Sequence, residues 1–275
     1  EGGALSGKVF DRCAGETMKQ TERFLHGISS DEAEPLTYGY YLAQSGGGRR
    51  PLLIWLHGAG EGGRDPAVAY AGNKVVNLAS EAIQAKFGGA HVLVPQTPTF
   101  WMDDGSGQYG RSGQSKYVQA LKALIDEFIA NNDASIDPDR IYIGGCSNGG
   151  FMTMRMVVDY PDFFAAAYPI CEALFDEVIS DAQIAAIRHV PIWFTHAKDD
   201  LIVKPEETAI PTYERLKKAG AQVHLSLFDQ VVDLHGLFAG ENDGPYRYNG
   251  HFSWIYALND DCRLDADGKP VVAGG

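Results

Sequence analysis

No stretch of about 18 uninterrupted apolar residues occurs in the 275-residue sequence, which excludes a membrane-spanning helix. Positive charge is scarce as well. Against 36 Asp and Glu stand 23 Lys and Arg, giving a formal net charge of −13 without a basic cluster. Such a chain repels phosphate backbones and anionic lipid, so neither nucleic acid nor a membrane is an expected partner. No His/Cys spacing suits zinc, no tract repeats, and the SGGG run at 45–48 is short enough for a surface loop. No metal and no organic cofactor is implied. The chain opens EGGALSGK, without an initiator Met, a basic n-region or an apolar h-region; the expectation is that an export signal was removed or never existed. Four cysteines, Cys13, Cys146, Cys171 and Cys262, allow zero, one or two disulfides. Their even number points to a secreted or periplasmic protein, against which stands the reading of buried free thiols in the cytoplasm.

What is present looks like one globular unit. Hydrophobic residues make up 45% and charged ones 21%, near the averages for globular chains, and a single domain over 1–275 is expected. From Leu36 onward, apolar runs of strand length alternate with longer amphipathic segments, the pattern of an α/β fold whose mostly parallel central sheet carries helices on both faces. Expected strands are 36–42, 52–56, 91–95, 140–144, 165–170, 191–195 and 222–228, several buried on both faces. Expected helices are 73–87, 115–131, 149–160, 176–187 and 206–219. Asp137-Pro138 predicts a turn just before the strand at 140.

The central chemical signal is Gly145-Cys146-Ser147-Asn148-Gly149, a G-x-S-x-G between the strand RIYIG and the helix GFMTMRMVV. A serine at so sharp a strand-to-helix turn has strained backbone angles, and its neighbours two positions away must lack a Cβ. The helix that follows points its first N–H groups at the position where an oxyanion would form. A hydroxyl is a poor nucleophile near neutral pH, so Ser147 requires a histidine base, itself oriented by a carboxylate. In this arrangement the chain order is Ser, acid, His. Of eight histidines, His224, His235 and His251 come late enough. His224 lies within a strand, whereas His251, in YNGHFSWIYALND, follows a Gly-containing loop and is the preferred base, with His235 as the alternative. The strand PIWFT runs into HAKDDLIV, which places Asp199 and Asp200 beyond its end; Asp200 is preferred. LLIWLHGAGEGG supplies an early strand and a Gly-rich turn, so the backbone N–H groups of Ala59 and Asn148 are the expected oxyanion hole, with His57 orienting the turn.

Other candidates are less decisive. The loop 96–113 carries Trp101 and Tyr109, which either stack on a substrate or pack the loop onto the body. Glu172, after the strand ending at Cys171, either lines the pocket or starts a helix. Gly105 to Gly110 matches G-x-G-x-x-G, but no strand directly precedes it, so nucleotide binding is rejected. Asp265-Ala266-Asp267-Gly268 resembles part of a calcium loop but lacks the first ligand and the closing Glu.

Together, LHGAGEGG, VPQTPTFWMDDG, IDPDRIYIGGCSNGGFMT, THAKDDLIV and GHFSWIYALND resemble the esterase branch of the α/β hydrolases. That branch includes polyhydroxybutyrate-depolymerase-like and feruloyl-esterase-like enzymes, often labelled as prolyl oligopeptidase family. The resemblance implies the α/β-hydrolase fold and a Ser147, Asp200 and His251 triad, with Trp254 in the segment of the base; Trp101, Glu172 and Trp254 are the expected substrate-binding residues. It implies a serine carboxylesterase acting on small-molecule or polysaccharide-linked esters, feruloyl or acetyl esters of plant polysaccharide among them; the alternatives are a peptidase or a polyester depolymerase. Cys146 before the serine and Asn148 after it depart from the commonest pattern. Related tannase-like esterases bridge such a cysteine to one beside the histidine, but none adjoins His251.

Overall fold

The computed structural model describes residues 19–44 and 47–271, so Cys13 lies outside the described residues. Among the described residues, eight strands form one sheet in the order β1-β2-β4-β3-β5-β6-β7-β8. They are β1 (Leu25–Ile28), β2 (Thr37–Tyr41), β3 (Arg50–Leu56), β4 (His91–Gln96), β5 (Ile136–Cys146), β6 (Ala166–Ile170), β7 (Ile192–Ala197) and β8 (Val223–Phe228). β1 and β2 pair antiparallel at one edge, and β3 to β8 run parallel.

Strand β3 explains why its sequence shows no polar alternation. Leu52, Ile54 and Leu56 point to one face and join the cluster under α3 (Val118–Asn131), α4 (Asn148–Asp159), α5 (Asp181–Ile187) and α6 (Ala209–Lys218). Leu53 and Trp55 point to the other, under α1 (Pro66–Ala71), α2 (Glu81–Phe87) and α7 (Trp254–Leu258). With helices on both faces, every side chain from Pro51 to Leu56 is removed from water, each large apolar one contributing roughly 1.5–3 kcal/mol. The expected stripe on the segment 115–131 is the buried face of α3: Leu121, Leu124, Ile125 and Phe128 pack on the sheet.

Several expectations change. The helix expected over 73–87 is two pieces, a 3₁₀ turn at Val75–Ala79 and then α2, because the Ser80 side chain caps the second piece at the Ile83 N–H. The one expected over 176–187 is divided in the same way by a Ser180/Gln183 capping box. Asp137-Pro138 does not precede its strand. β5 already pairs at Ile136 with Arg50 and resumes at Ile141 with Leu52, and the register shift between them accommodates the proline. β1 and α1 were not expected at all.

Candidate active site

Ser147 sits between β5 and α4 with φ 56° and ψ −114°, a conformation held by its own N–H, which donates to the Ile170 carbonyl of β6 (2.9 Å). The turn is possible only because Gly145 and Gly149 lack side chains. A Cβ at either would collide with the Leu56 carbonyl at the end of β3. The strain is thus supported by two neighbouring strands.

His251 reaches this serine from a 3₁₀ turn at Gly250–Phe252, started by the Asn249 side chain, which accepts from the His251 N–H. Its Nε2 lies 2.9 Å from Ser147 Oγ and its Nδ1 2.7 Å from Asp200 Oδ2. With Nδ1–H donating to the carboxylate, Nε2 is left as an acceptor facing the hydroxyl. Trp254 stands edge-on to the imidazole, ring centroids 5.7 Å apart, and is itself buried. The residue expected at the substrate therefore braces the histidine ring.

Asp200 lies in the turn after β7. Its Oδ1 accepts the N–H groups of Ile202 and Val203, both at 2.9 Å, while Oδ2 takes His251 and, at 3.1 Å, the Nε2–H of His196. Burial works to raise its pKa, but the bonds from His196 and His251, the charge interaction with His251 and the Val203 N–H outweigh it, holding the carboxyl well below the usual range. The group stays ionised. His196, fully buried on β7, shares its Nε2–H with the Val203 carbonyl (3.0 Å). In the sequence its contact with the acid is signalled only by the i, i+4 spacing from Asp200. Asp199 instead accepts from Arg247 (2.8 Å). His235 and His224 pair with Asp261 and Asp265, so neither takes the place beside Ser147.

The Gly-rich turn after β3 is held from beneath by the buried His57 and the half-buried Glu61. The Nε2 of His57 accepts the Thr97 N–H (3.1 Å) and its Nδ1–H donates to the Gly58 carbonyl (2.7 Å). Burial lowers its pKa to about 4, so it is a neutral strut. Glu61 Oε2 accepts the Gly58 N–H (2.8 Å) and Oε1 the Asn73 amide (2.5 Å). Burial raises the Glu61 pKa to about 7 against the opposing pull of those two bonds. The Ala59 N–H opens a 3₁₀ turn and the Asn148 N–H opens α4; positions of this kind have no intrahelical acceptor. Asn148 also ties in the long loop, because its Oδ1 accepts the Met102 N–H (3.2 Å).

The remaining substrate-binding expectations are corrected by burial. Trp101 is 0% exposed and packs between His57 and Tyr117, so it secures the loop and offers no surface to a ligand. Tyr109 is exposed and stacks on Phe100. Glu172 is buried behind Gly150, and its Oε2 accepts the Leu174 N–H (2.7 Å); burial first, with the nearby Asp176 charge adding to it, raises its pKa to about 8. The G-x-G-x-x-G stretch folds around Asp103, whose Oδ1 accepts from Gly105 and Gly107. Cys146, Cys171 and Cys262 are unpaired.

Comparison with known proteins finds esterase relatives and α/β-hydrolase neighbours. The prolyl oligopeptidase family profile matches residues 99–172. A poly(3-hydroxybutyrate) depolymerase of Ralstonia pickettii is 31% identical over 121 residues, 43% of this chain and 24% of the relative. Carboxylesterase SOBER1 of Arabidopsis thaliana is 25% identical over 62% of this chain and 78% of its own length. A thermostable esterase of known structure superposes with a TM-score of 0.73 at 27% identity, over 88% of this chain and 61% of that one. The chain thus spans only about a quarter of the depolymerase it matches.

Proposed function

We propose that this α/β hydrolase, related to serine esterases, cleaves carboxylic esters through an acyl-enzyme formed on Ser147. The observation that carries the reading is the continuous chain from Ser147 Oγ to His251 (2.9 Å) to Asp200 (2.7 Å), with two backbone N–H groups at the ends of β3 and β5. Ser147 Oγ attacks the ester carbonyl as His251 Nε2 takes its proton, and the ionised Asp200 stabilises the imidazolium. The carbonyl oxygen, now negative, is met by the Ala59 and Asn148 N–H groups. The imidazolium then gives its proton to the departing alcohol, and water, deprotonated by the same imidazole, releases the acid.

The substrate is an ester of an apolar or aromatic acid, feruloyl and acetyl esters of plant polysaccharide included. A second reading, a polyester depolymerase, is favoured by the side chains flanking the acid and the base. Leu201 and Ile202, directly after Asp200, are 87% and 63% exposed, and Phe252, directly after His251, is 38% exposed. Ser147→Ala should abolish turnover of p-nitrophenyl acetate; undiminished turnover would remove the proposal. Relative rates on acetyl, butyryl and feruloyl esters and on a polyester film distinguish the substrates, and a peptidyl amide tests the peptidase alternative.

A further inference from the structure

Two polar groups beside the proposed triad have no part in the chemistry above. The first is the thiol of Cys171. It follows β6 in a left-handed conformation (φ 37°), is wholly buried, and is unpaired. The second is the Ser253 hydroxyl, one turn beyond His251, also wholly buried and without a hydrogen-bond partner. A buried hydroxyl without a partner is unfavourable unless something else satisfies it.

Cys171, Asp200 and His251 each present one ligand atom, and the three atoms lie within 4.8 Å of one another. In a tetrahedral zinc site, with bonds of about 2.0–2.3 Å, neighbouring donors stand roughly 3.3–3.8 Å apart. An ion therefore needs the longest separations to close by about 1 Å and the 2.7 Å His251–Asp200 contact to open. The donor types select the ion. A sulfur, an imidazole nitrogen and a carboxylate suit Zn²⁺ or Cd²⁺ and not the hard cations Mg²⁺ or Ca²⁺. A thiolate and a carboxylate also supply the two negative charges that neutralise a divalent cation away from water, leaving Ser253 Oγ or a water as a fourth donor.

We infer that Cys171, Asp200 and His251 form an inhibitory site for a thiophilic divalent cation, which binds by taking the imidazole out of its contact with Ser147 or Asp200. The thiol loses its proton as the sulfur–metal bond forms. Should His251 bind through Nδ1, its ring proton moves to Nε2 and the imidazole stays neutral. No electron is transferred. Inhibition rests on the esterase reading, whereas binding does not, so the two are tested separately.

Metal-free protein is titrated with Cd²⁺ while thiolate-to-cadmium absorption is followed, and p-nitrophenyl acetate turnover is measured in parallel against Zn²⁺ with and without EDTA. The expected results are one Cd²⁺ bound with a thiolate band and EDTA-reversible inhibition by Zn²⁺. Cys171→Ser should remove the band and lower zinc sensitivity at least about tenfold, whereas Cys146→Ala and Cys262→Ser should retain both. A Cys171→Ser protein that keeps the same band and the same sensitivity overturns the inference. Wild type that turns over no ester removes the esterase reading and leaves the cadmium titration to decide on the site. If substitution at 171 prevents folding, X-ray absorption of the zinc-loaded wild type decides instead: sulfur and imidazole in the first shell support the site, and an all-oxygen shell overturns it.

Discussion

Glu61 stands outside the triad, yet its carboxylate holds the turn that presents the Ala59 N–H, and its removal should be felt in catalysis. In Glu61→Ala the Gly58 N–H loses its 2.8 Å acceptor and the Asn73 amide its 2.5 Å one. One orphaned buried N–H costs about 1–3 kcal/mol of stability, so the turn would lose the bond that fixes its start. Losing an oxyanion donor outright slows esterolysis by roughly 10²–10³-fold. Glu61 only positions that donor, so kcat/KM should fall by about 10–10²-fold, or about 1.4–2.7 kcal/mol of barrier, with the loss mainly in kcat. Glu61→Gln keeps a side-chain oxygen for the Gly58 N–H and should stay within about threefold of wild type. The assay is steady-state hydrolysis of p-nitrophenyl acetate, with thermal melts to confirm folding at the assay temperature. A folded Glu61→Ala enzyme with wild-type kcat would refute the reasoning, because the turn would then be fixed without its carboxylate.

Three further outcomes follow from geometry already described. Asp200→Asn places an amide NH₂ against the N–H groups of His251 and His196, turning His251 to the wrong tautomer; kcat should drop about 10⁴-fold in esterolysis, and a loss under tenfold would contradict the proposed acid. Glu172 has a folded-state pKa of about 8 against an ordinary 4.5, so the native state holds its proton over a range where the unfolded chain has released it. Its contribution therefore favours folding least at high pH: stability should decline as pH rises from about 4.5 to 8, and Glu172→Gln should flatten that part of the Tm profile, whereas parallel profiles would count against a buried neutral acid. Gly149→Ala drives a methyl into the Leu56 carbonyl and should abolish soluble expression or lower Tm steeply, an unchanged melt being the contrary result.

The parts of the fold visible in the sequence are those where one local rule acts alone. β3, β4 and β7 carry apolar runs at 51–56, 92–95 and 192–194 because both faces of the sheet are covered, and the stripe of α3 needed only its spacing. β1 was invisible because LHGI is a four-residue edge strand with exposed side chains, so no burial pattern marks it. The interruptions at Ser80 and Ser180 were written as caps, but the apolar periodicity that continues past each serine concealed them. In the site, the turn at Ser147 and the order of acid and histidine are local or sequential facts. Whether Trp101 faces a ligand or the core depends on how the 97–113 loop lies, which is set by distant partners such as Asn148 and Tyr117. His196 meets Asp200 four residues on and Glu61 meets the Gly58 N–H three residues back, whereas Cys171 gains its meaning only from side chains brought together by the sheet.

The loops bearing Asp200 and His251 are fastened to one another. Arg247 pairs with Asp199, and Gly250 lies so close to Asp199 that even a methyl group has no room between them. Ser147, by contrast, belongs to the rigid junction of β5 and α4 and meets the histidine through one hydrogen bond. Asp200 is itself anchored to β7 through His196, so a fluctuation of the 229–249 segment would strain the imidazole while its ties to the acid's loop hold, and the rupture would fall at the single contact with the nucleophile.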